Sequence, residues 1–359
     1  MNAPDLPARA RIHARPFGRL SDGRPVDEYV LDGGAGLVLR AITLGGIVTG
    51  IDAPDRHGHV DNLVLGLDTL ADYEQRDHYF GIIVGRYANR IANAHLEIDG
   101  VSHGLTANER TNCLHGGRNH FGKCLWSADT ETHGGVPSLV LRYTSPHGEE
   151  GFPGTLETSV RYTLAGDTWQ VDYEATTDRP TVVNLSHHSF FNLRGHGSAL
   201  EHRLTLPASH YHEVDALLIP QATSPVEGTP FDFRRATEIG ARVRDANPQL
   251  ARARGYDHDW VLDTPLGDGV RAAACLEDPA SGRVMRMWSS EPGIQFYSGN
   301  FLDGSQPGRG GVLYRQGDGI CLEPQHAPDS PHHPDWPSTI LRPGEVYRSR
   351  TVYRFSVPG

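Results

Sequence analysis

The feature that most constrains the fold is an apolar/polar alternation with a period of two, carried through most of the chain. Val160, Tyr162 and Leu164 alternate with Ser159, Arg161 and Thr163. After Gly166-Asp167, Trp169, Val171, Tyr173 and Ala175 alternate with Gln170, Asp172 and Glu174. Successive side chains of a strand point to opposite faces, so each run offers one face to a core and keeps one wetter face. The two runs together predict a hairpin. Asp99-Gly100, between HLEI and VSHGL, is the strongest short hairpin signal in the chain. Ser281-Gly282 lies similarly between AACLEDPA and RVMRMW, and from Arg350 to Val357 Thr351, Tyr353 and Phe355 alternate with Val352, Arg354 and Ser356. Helical spacing is confined to short stretches, Thr69–Gln75 and Thr237–Arg244, the second following a Phe-Asp-Phe turn.

Composition agrees with many short strands joined by turns: 41 glycines and 25 prolines in 359 residues, with 38% hydrophobic residues. No repeat, low-complexity block or polar linker interrupts the pattern. The expected fold is all-β, a large antiparallel β-sandwich with a few short helices, forming a single domain over 1–359 with a loose tail over about residues 1–10. A net charge of −11 argues against a nucleic-acid partner. No run approaches the roughly 18 apolar residues of a membrane span, and MNAPDLPARARIHARPF lacks the apolar core of a secretory signal, so the expected compartment is cytoplasmic. Cys113, Cys124, Cys275 and Cys321 are then reduced thiols, and the Asn184-Leu185-Ser186 sequon is expected to stay unglycosylated.

Five segments carry polar residues that packing alone does not call for. Gly85-Arg-Tyr-Ala-Asn-Arg90 offers Asn89 and Arg90 side by side, a set of fixed donors suited to hydroxyl groups, or else a turn asparagine and a surface arginine. In Thr111-Asn-Cys-Leu-His-Gly-Gly117, two glycines follow His115 and allow a tight turn or close backbone approach; Cys113 and His115 alone make a weak metal motif. Asn184–Leu193 (NLSHHSFFNL) places His187 and His188 in an apolar, strand-like run. Neighbours on a strand face opposite ways, so at most one of these rings faces a given pocket and the two do not readily chelate one ion. In Gly255-Tyr-Asp-His-Asp259, Asp257 taken singly reads as a turn former. In Gly319-Ile-Cys-Leu-Glu-Pro-Gln325, Glu323 emerges from an apolar strand that Pro324 is expected to end. A carboxylate there is costly unless paired, which makes Glu323 the foremost candidate for a catalytic base. Gln295 sits inside another apolar run, PGIQFYSGN, as a ligand for substrate or a satisfied core amide.

These segments, with GEEGFPG, GYDHDWVL, NFLDG, LEPQ and LRPGE, occur in this order in the aldose 1-epimerases, or galactose mutarotases, which the chain resembles from about Phe17 to Val357. The resemblance implies a large antiparallel β-sandwich with a monosaccharide in an open cleft, in a monomer or homodimer. It implies Glu323 as general base and His188 as general acid, with Asn89, Arg90, His115, Asp257 and Gln295 as sugar-binding residues. His187 stands where the family commonly has Asn, Phe190 where it has Tyr, and Pro324 where a small hydroxyl residue is frequent.

The implied reaction interconverts α and β anomers of hexoses such as D-galactose and D-glucose. It opens the ring by proton transfer, turns about C1–C2 and recloses, and it calls for no cofactor and no metal. A nearby carboxylate is expected to keep His188 charged near neutral pH. A non-catalytic sugar-binding protein on this scaffold is the alternative, though one that would be expected to lose Glu323 or His188. A hexose-phosphate epimerase would want arginines at the cleft, with Arg234, Arg235, Arg252 and Arg254 as candidates. A glycosidase would need a second carboxylate beside Glu323. The stretch Asp329–Asp335 (DSPHHPD) reads as a solvated Pro-rich loop, with metal binding as the other reading.

Overall fold

A computed structural model of the chain describes residues 10–75, 79–267 and 269–358; the expected loose tail falls, apart from Ala10, outside the described residues. Antiparallel strands dominate, as the alternation predicts. Leu156–Ala165 pairs with Thr168–Thr177, with Leu164 opposite Trp169 and Val160 opposite Tyr173. All seven apolar residues of the two runs are buried. Asp99 and Gly100, at φ 53° and 77°, make the mirror-image turn that joins His95–Ile98 to Val101–Gly104.

Two large sheets set the architecture. One has nine strands, in the order Ser127–His133, Val136–Ser145, Leu156–Ala165, Thr168–Thr177, Tyr347–Ser356, Val284–Ser289, Arg271–Glu277, Arg203–Thr205 and Thr237–Glu238. The other has six: Phe190–Phe191, Ile320–Gln325, Gly293–Tyr297, Asp257–Val261, His210–Val214 and Pro220–Pro225. A five-stranded meander, Arg11–Arg19 to Val60–Asn62, packs against them. Leu164, Trp169 and Tyr353 from the nine-stranded sheet share one hydrophobic cluster with Ile294, Phe296, Ile320 and Leu322 from the six-stranded sheet and Leu39 and Ile51 from the meander. The fold is therefore the expected all-β sandwich.

Two expectations change. Thr237–Arg244 is not a helix: Thr237 and Glu238 pair with Leu204 and Arg203 at a sheet edge, and a single 3-10 turn, Ile239–Ala241, follows. Buried Ile239 and Val243 supply the i, i+4 spacing, but the sheet edge captures the backbone, and Gly240 weakens any helix through this stretch. The second α-helix is instead Pro248–Ala253, capped by Asn247, whose side chain accepts from Gln249 N at 2.8 Å. Likewise, Pro324 does not end its strand; Ile294 pairs with Pro324 and Gly293 with Gln325. The Pro324 carbonyl accepts from Ser186 Oγ at 2.8 Å. Its polar edge thus faces Ser186, not the neighbouring strand, and the missing N–H costs the ladder nothing.

The adjacent histidines separate as strand geometry requires. The His187 ring lies edge-on to Trp169, centroids 5.1 Å apart, and 5.8 Å from Tyr162, both in the shared core. Burial lowers its pKa to about 3. Asn184 of the sequon is also buried, its side chain donating to the His326 carbonyl and accepting from His326 N, so the folded chain has no room for a glycan there.

As pH falls below about 6.5, an unfolded chain protonates at His187 while the folded chain stays neutral until about 3, so this group destabilises the fold increasingly on the acid side. His187→Asn should make stability fall less steeply between about pH 6.5 and 4.5, by about one proton's worth of slope. Denaturant unfolding across that range measures it; equal slopes in both proteins would mean that His187 is protonated within the fold.

Candidate active site

The same alternation that sends Ile320 and Leu322 into the core sends Cys321 and Glu323 to the other face of the six-stranded sheet. Register brings partners beside them: Gln295 lies opposite Glu323, and Tyr297 lies opposite both Cys321 and Asp257. Over this face opens a cavity of about 280 Å³, lined by Asn89, Arg90, His115, His188, Asp257 and Glu323 together with aromatic walls from Tyr79, Phe80, Phe190, Tyr297, Phe301 and Tyr314. Six of the seven residues singled out from the sequence thus line one cavity. The seventh, Gln295, is not among the lining residues; its Nε2 donates to Asp257 Oδ1 at 2.7 Å and so orients that carboxylate. Asp257 opens a strand and is buried, so its sequence reading as a turn former does not hold.

Local backbone fixes the donors. Asn89 sits at φ 62°, and its Oδ1 accepts from Arg90 N at 2.9 Å and Arg90 Nη1 at 3.3 Å. Arg90 also lies 3.8 Å from Asp257 and 3.5 Å from Glu109, so its charge is balanced without leaving the cavity wall. His115 Nδ1 accepts from Asn89 N at 3.2 Å, which leaves the ring proton on Nε2. Gly116 is required beside it: at φ 93° a Cβ would stand 2.2 Å from the Gly85 carbonyl.

His188 and Glu323 form the centre. His188 Nε2 lies 3.8 Å from Glu323 Oε1, and both side chains are almost wholly withdrawn from solvent. Glu323 Oε2 has no hydrogen-bond partner among the described residues. The other nitrogen of His188, Nδ1, lies 3.4 Å from Cys321 Sγ. Burial pushes the Glu323 carboxyl well up, and the Asp257 charge adds to it while Arg90 opposes. Burial also takes His188 down to about 4, with the His120 charge helping and a backbone hydrogen bond opposing. The expectation of a charged His188 is therefore overturned for the empty site. At 3.8 Å the carboxylate makes no hydrogen bond, and desolvation outweighs it.

Ligand atoms of His115, His188 and Glu323 lie within 4.8 Å of one another, a grouping that could hold a metal ion. A ligating histidine usually donates its other N–H to a carboxylate or carbonyl, whereas His115 Nδ1 accepts an N–H. That tautomer favours a hydrogen-bond donor over a metal ligand. Cys113 packs with Tyr87 and Phe152 in a separate apolar cluster, and all four cysteines are free. The stretch 329–335 is not simply solvated: Asp329 is buried and accepts from Ala92 N at 2.8 Å and pairs with His332 Nδ1 at 2.6 Å. Among the described residues no helix is long and apolar enough to cross a membrane.

The profile of the family described as aldose 1-epimerase matches residues 27–354. The chain belongs to the aldose 1-epimerase family. It is 40% identical over 345 residues to a galactose mutarotase from Mus musculus, covering 95% of this chain and 97% of that one. It is 36% identical over 339 residues to an aldose 1-epimerase from Escherichia coli (strain K12), covering 93% and 96%. A crystal structure of a GalM/aldose epimerase homologue from C. elegans superposes with a TM-score of 0.82 at 29% identity, covering 90% of this chain and 97% of that one.

Within this family member, sequence reasoning overlooked Cys321, Tyr79 and Tyr297. Two of the three had a signal: Cys321 and Tyr297 stand two residues from Glu323 and Gln295, and on a strand that spacing means the same face. Arg234, Arg235, Arg252 and Arg254 do not line the cavity; Arg252 donates to the Val214 carbonyl and Arg254 lies over Phe301 at 5.7 Å.

In an NMR pH titration, His188 should stay a neutral imidazole down to about pH 4. A midpoint near about 6.5 would show that water reaches the ring of the empty site.

Proposed function

We propose that this family member is an isomerase that interconverts the α and β anomers of aldohexoses such as D-galactose and D-glucose, with Glu323 as general base and His188 as general acid. The observation that carries this reading is the pair itself: two buried, complementary proton carriers 3.8 Å apart inside a cavity walled by fixed donors. The names of the relatives, galactose mutarotase and aldose 1-epimerase, support it. We further read residues 27–354 as one unit, because the acid and the base come from distant segments joined by a continuous core.

O1 and the ring oxygen O5 of a pyranose share C1, so two groups this close can address both oxygens at once. The Glu323 carboxylate takes the O1 proton, His188 Nε2 gives its proton to O5, and the C1–O5 bond breaks as C1–O1 becomes a carbonyl. A turn about C1–C2 presents the other carbonyl face, and the reverse transfers close the ring on the other anomer. Arg90, Asn89, His115 and Asp257 hold the remaining hydroxyls meanwhile.

The pair carries one transferable proton throughout. In the ring-opened intermediate it rests on Glu323, leaving both groups neutral, which is the state that burial favours. Binding must therefore favour the charged pair, through sugar hydroxyls donating to the carboxylate and Arg90 nearby. Burial then draws the proton transfer forward.

Glu323→Gln and His188→Asn should each lower kcat for mutarotation of fresh α-D-galactose or α-D-glucose by about 10²–10⁴-fold in polarimetry, with folding retained. Near-full activity in both variants would overturn the assignment. Asp257 holds the Glu323 pKa up, so Asp257→Asn should move the acid limb of the kcat profile to lower pH, alongside a raised KM. An acid limb that stays in place would mean that Glu323 does not set it.

A further inference from the structure

We propose that Glu150 is a positioning residue for His115: its carboxylate gathers the backbone N–H groups of the turn after His115 and so fixes where the imidazole meets the cavity. The inference rests on the reading of His115 as a sugar-binding residue. His115, Gly116 and Gly117 are buried, whereas Arg118 and Asn119 are exposed, so the chain leaves the cavity wall within a few residues. Glu150 belongs to Gly148–Gly154, the GEEGFPG segment, which the proton-transfer chemistry does not use. Its Oε2 accepts from Arg118 N at 2.8 Å, and its Oε1 accepts from Asn119 N at 3.1 Å and Asn119 Nδ2 at 2.9 Å. Neither backbone N–H has another acceptor among the described residues. The two segments touch at Gly117, at φ 103°, where a Cβ would stand 2.3 Å from Glu150 Oε2.

The seat of Glu150 is itself fixed. It takes φ 52°, an uncommon conformation for a residue with a side chain, and its carbonyl accepts from Thr106 N at 2.9 Å. Burial tends to raise its carboxyl, yet hydrogen bonds from Arg118, Thr106 and Asn119 outweigh burial and hold the pKa below the usual value. The group is therefore charged at neutral pH, and charged acceptors make the stronger hydrogen bonds. Asn108 closes the other side of the turn. Its Nδ2 donates to the Leu114 and Gly117 carbonyls, both at 2.9 Å, and its Oδ1 accepts from Leu114 N at 2.7 Å. Glu150 reaches His115 through this backbone and not through its charge: burial and the His188, Arg90 and His120 charges are what act on the imidazole. With the turn held, His115 N donates to the Asn89 carbonyl at 2.9 Å while Nδ1 accepts from Asn89 N, and Nε2 remains as the donor for a sugar hydroxyl.

The test is a double-mutant cycle of Glu150→Ala and His115→Ala, read by polarimetric kcat and KM and by thermal unfolding. His115→Ala should raise KM, and Glu150→Ala should raise it at least about fivefold with kcat changed less, as the loss of one hydrogen bond made to the bound sugar requires. The double variant should have the KM of His115→Ala alone, because Glu150 acts only through that ring. Glu150→Gln keeps the shape and one acceptor oxygen, so its KM should fall between wild type and Glu150→Ala; it serves the same cycle where the alanine variant does not fold. A KM unchanged in both Glu150 variants while His115→Ala raises it would overturn the proposal, as would losses that multiply in the double variant, the mark of a merely structural role. An unchanged KM in His115→Ala would instead overturn the reading of His115 as a sugar-binding residue, and the proposal with it.

Discussion

Glu323 is held almost wholly out of solvent, beside the second buried carboxylate of Asp257, and much of the surrounding structure answers to that cost. An isolated buried charge is prohibitive, so the group shifts its pKa or acquires partners. Here Arg90 faces Asp257, Gln295 donates to it, and Asn89 braces Arg90. The donors that would greet a sugar are thus the groups that make the empty site tolerable. The same desolvation that raises Glu323 depresses His188, which brings the two groups closer in proton affinity and lets one proton pass between them through a substrate.

Much of this was legible in the sequence, because a period of two reports which face a residue takes. Val160 to Ala175 gave its hairpin directly, and the Asp99-Gly100 turn lay where its two residues required. The separation of His187 from His188 followed from strand geometry alone. The resemblance to a known family then gathered Asn89, Arg90, His115, His188, Asp257 and Glu323 into one site, a step that no local pattern could take, since it depends on which strands become neighbours.

What escaped the sequence shares one cause: it depends on surroundings contributed by distant segments. Thr237–Arg244 carries helical spacing, yet an unpaired sheet edge nearby took its backbone. Pro324 looked like a strand end until Ser186 proved to be the partner of its carbonyl. The charge state of His188 differs from the expectation because the sequence shows the carboxylate but not the desolvation. Cys321 reads from composition as one of four scattered thiols, although its spacing from Glu323 places it on the same face of the strand.

The strand Tyr347–Ser356 occupies the middle of the nine-stranded sheet, between Thr168–Thr177 and Val284–Ser289. It follows every other described strand in the chain, yet it alone joins the two halves of that sheet. During synthesis the earlier half, from Ser127 to Thr177, must wait with an open edge until this last strand arrives. Such an edge is a template for pairing with another chain. Contacts so distant in sequence also close slowly. The principal sheet therefore closes only once Tyr347–Ser356 has been synthesised, and the interval before that is when the sheet is most exposed to misassembly.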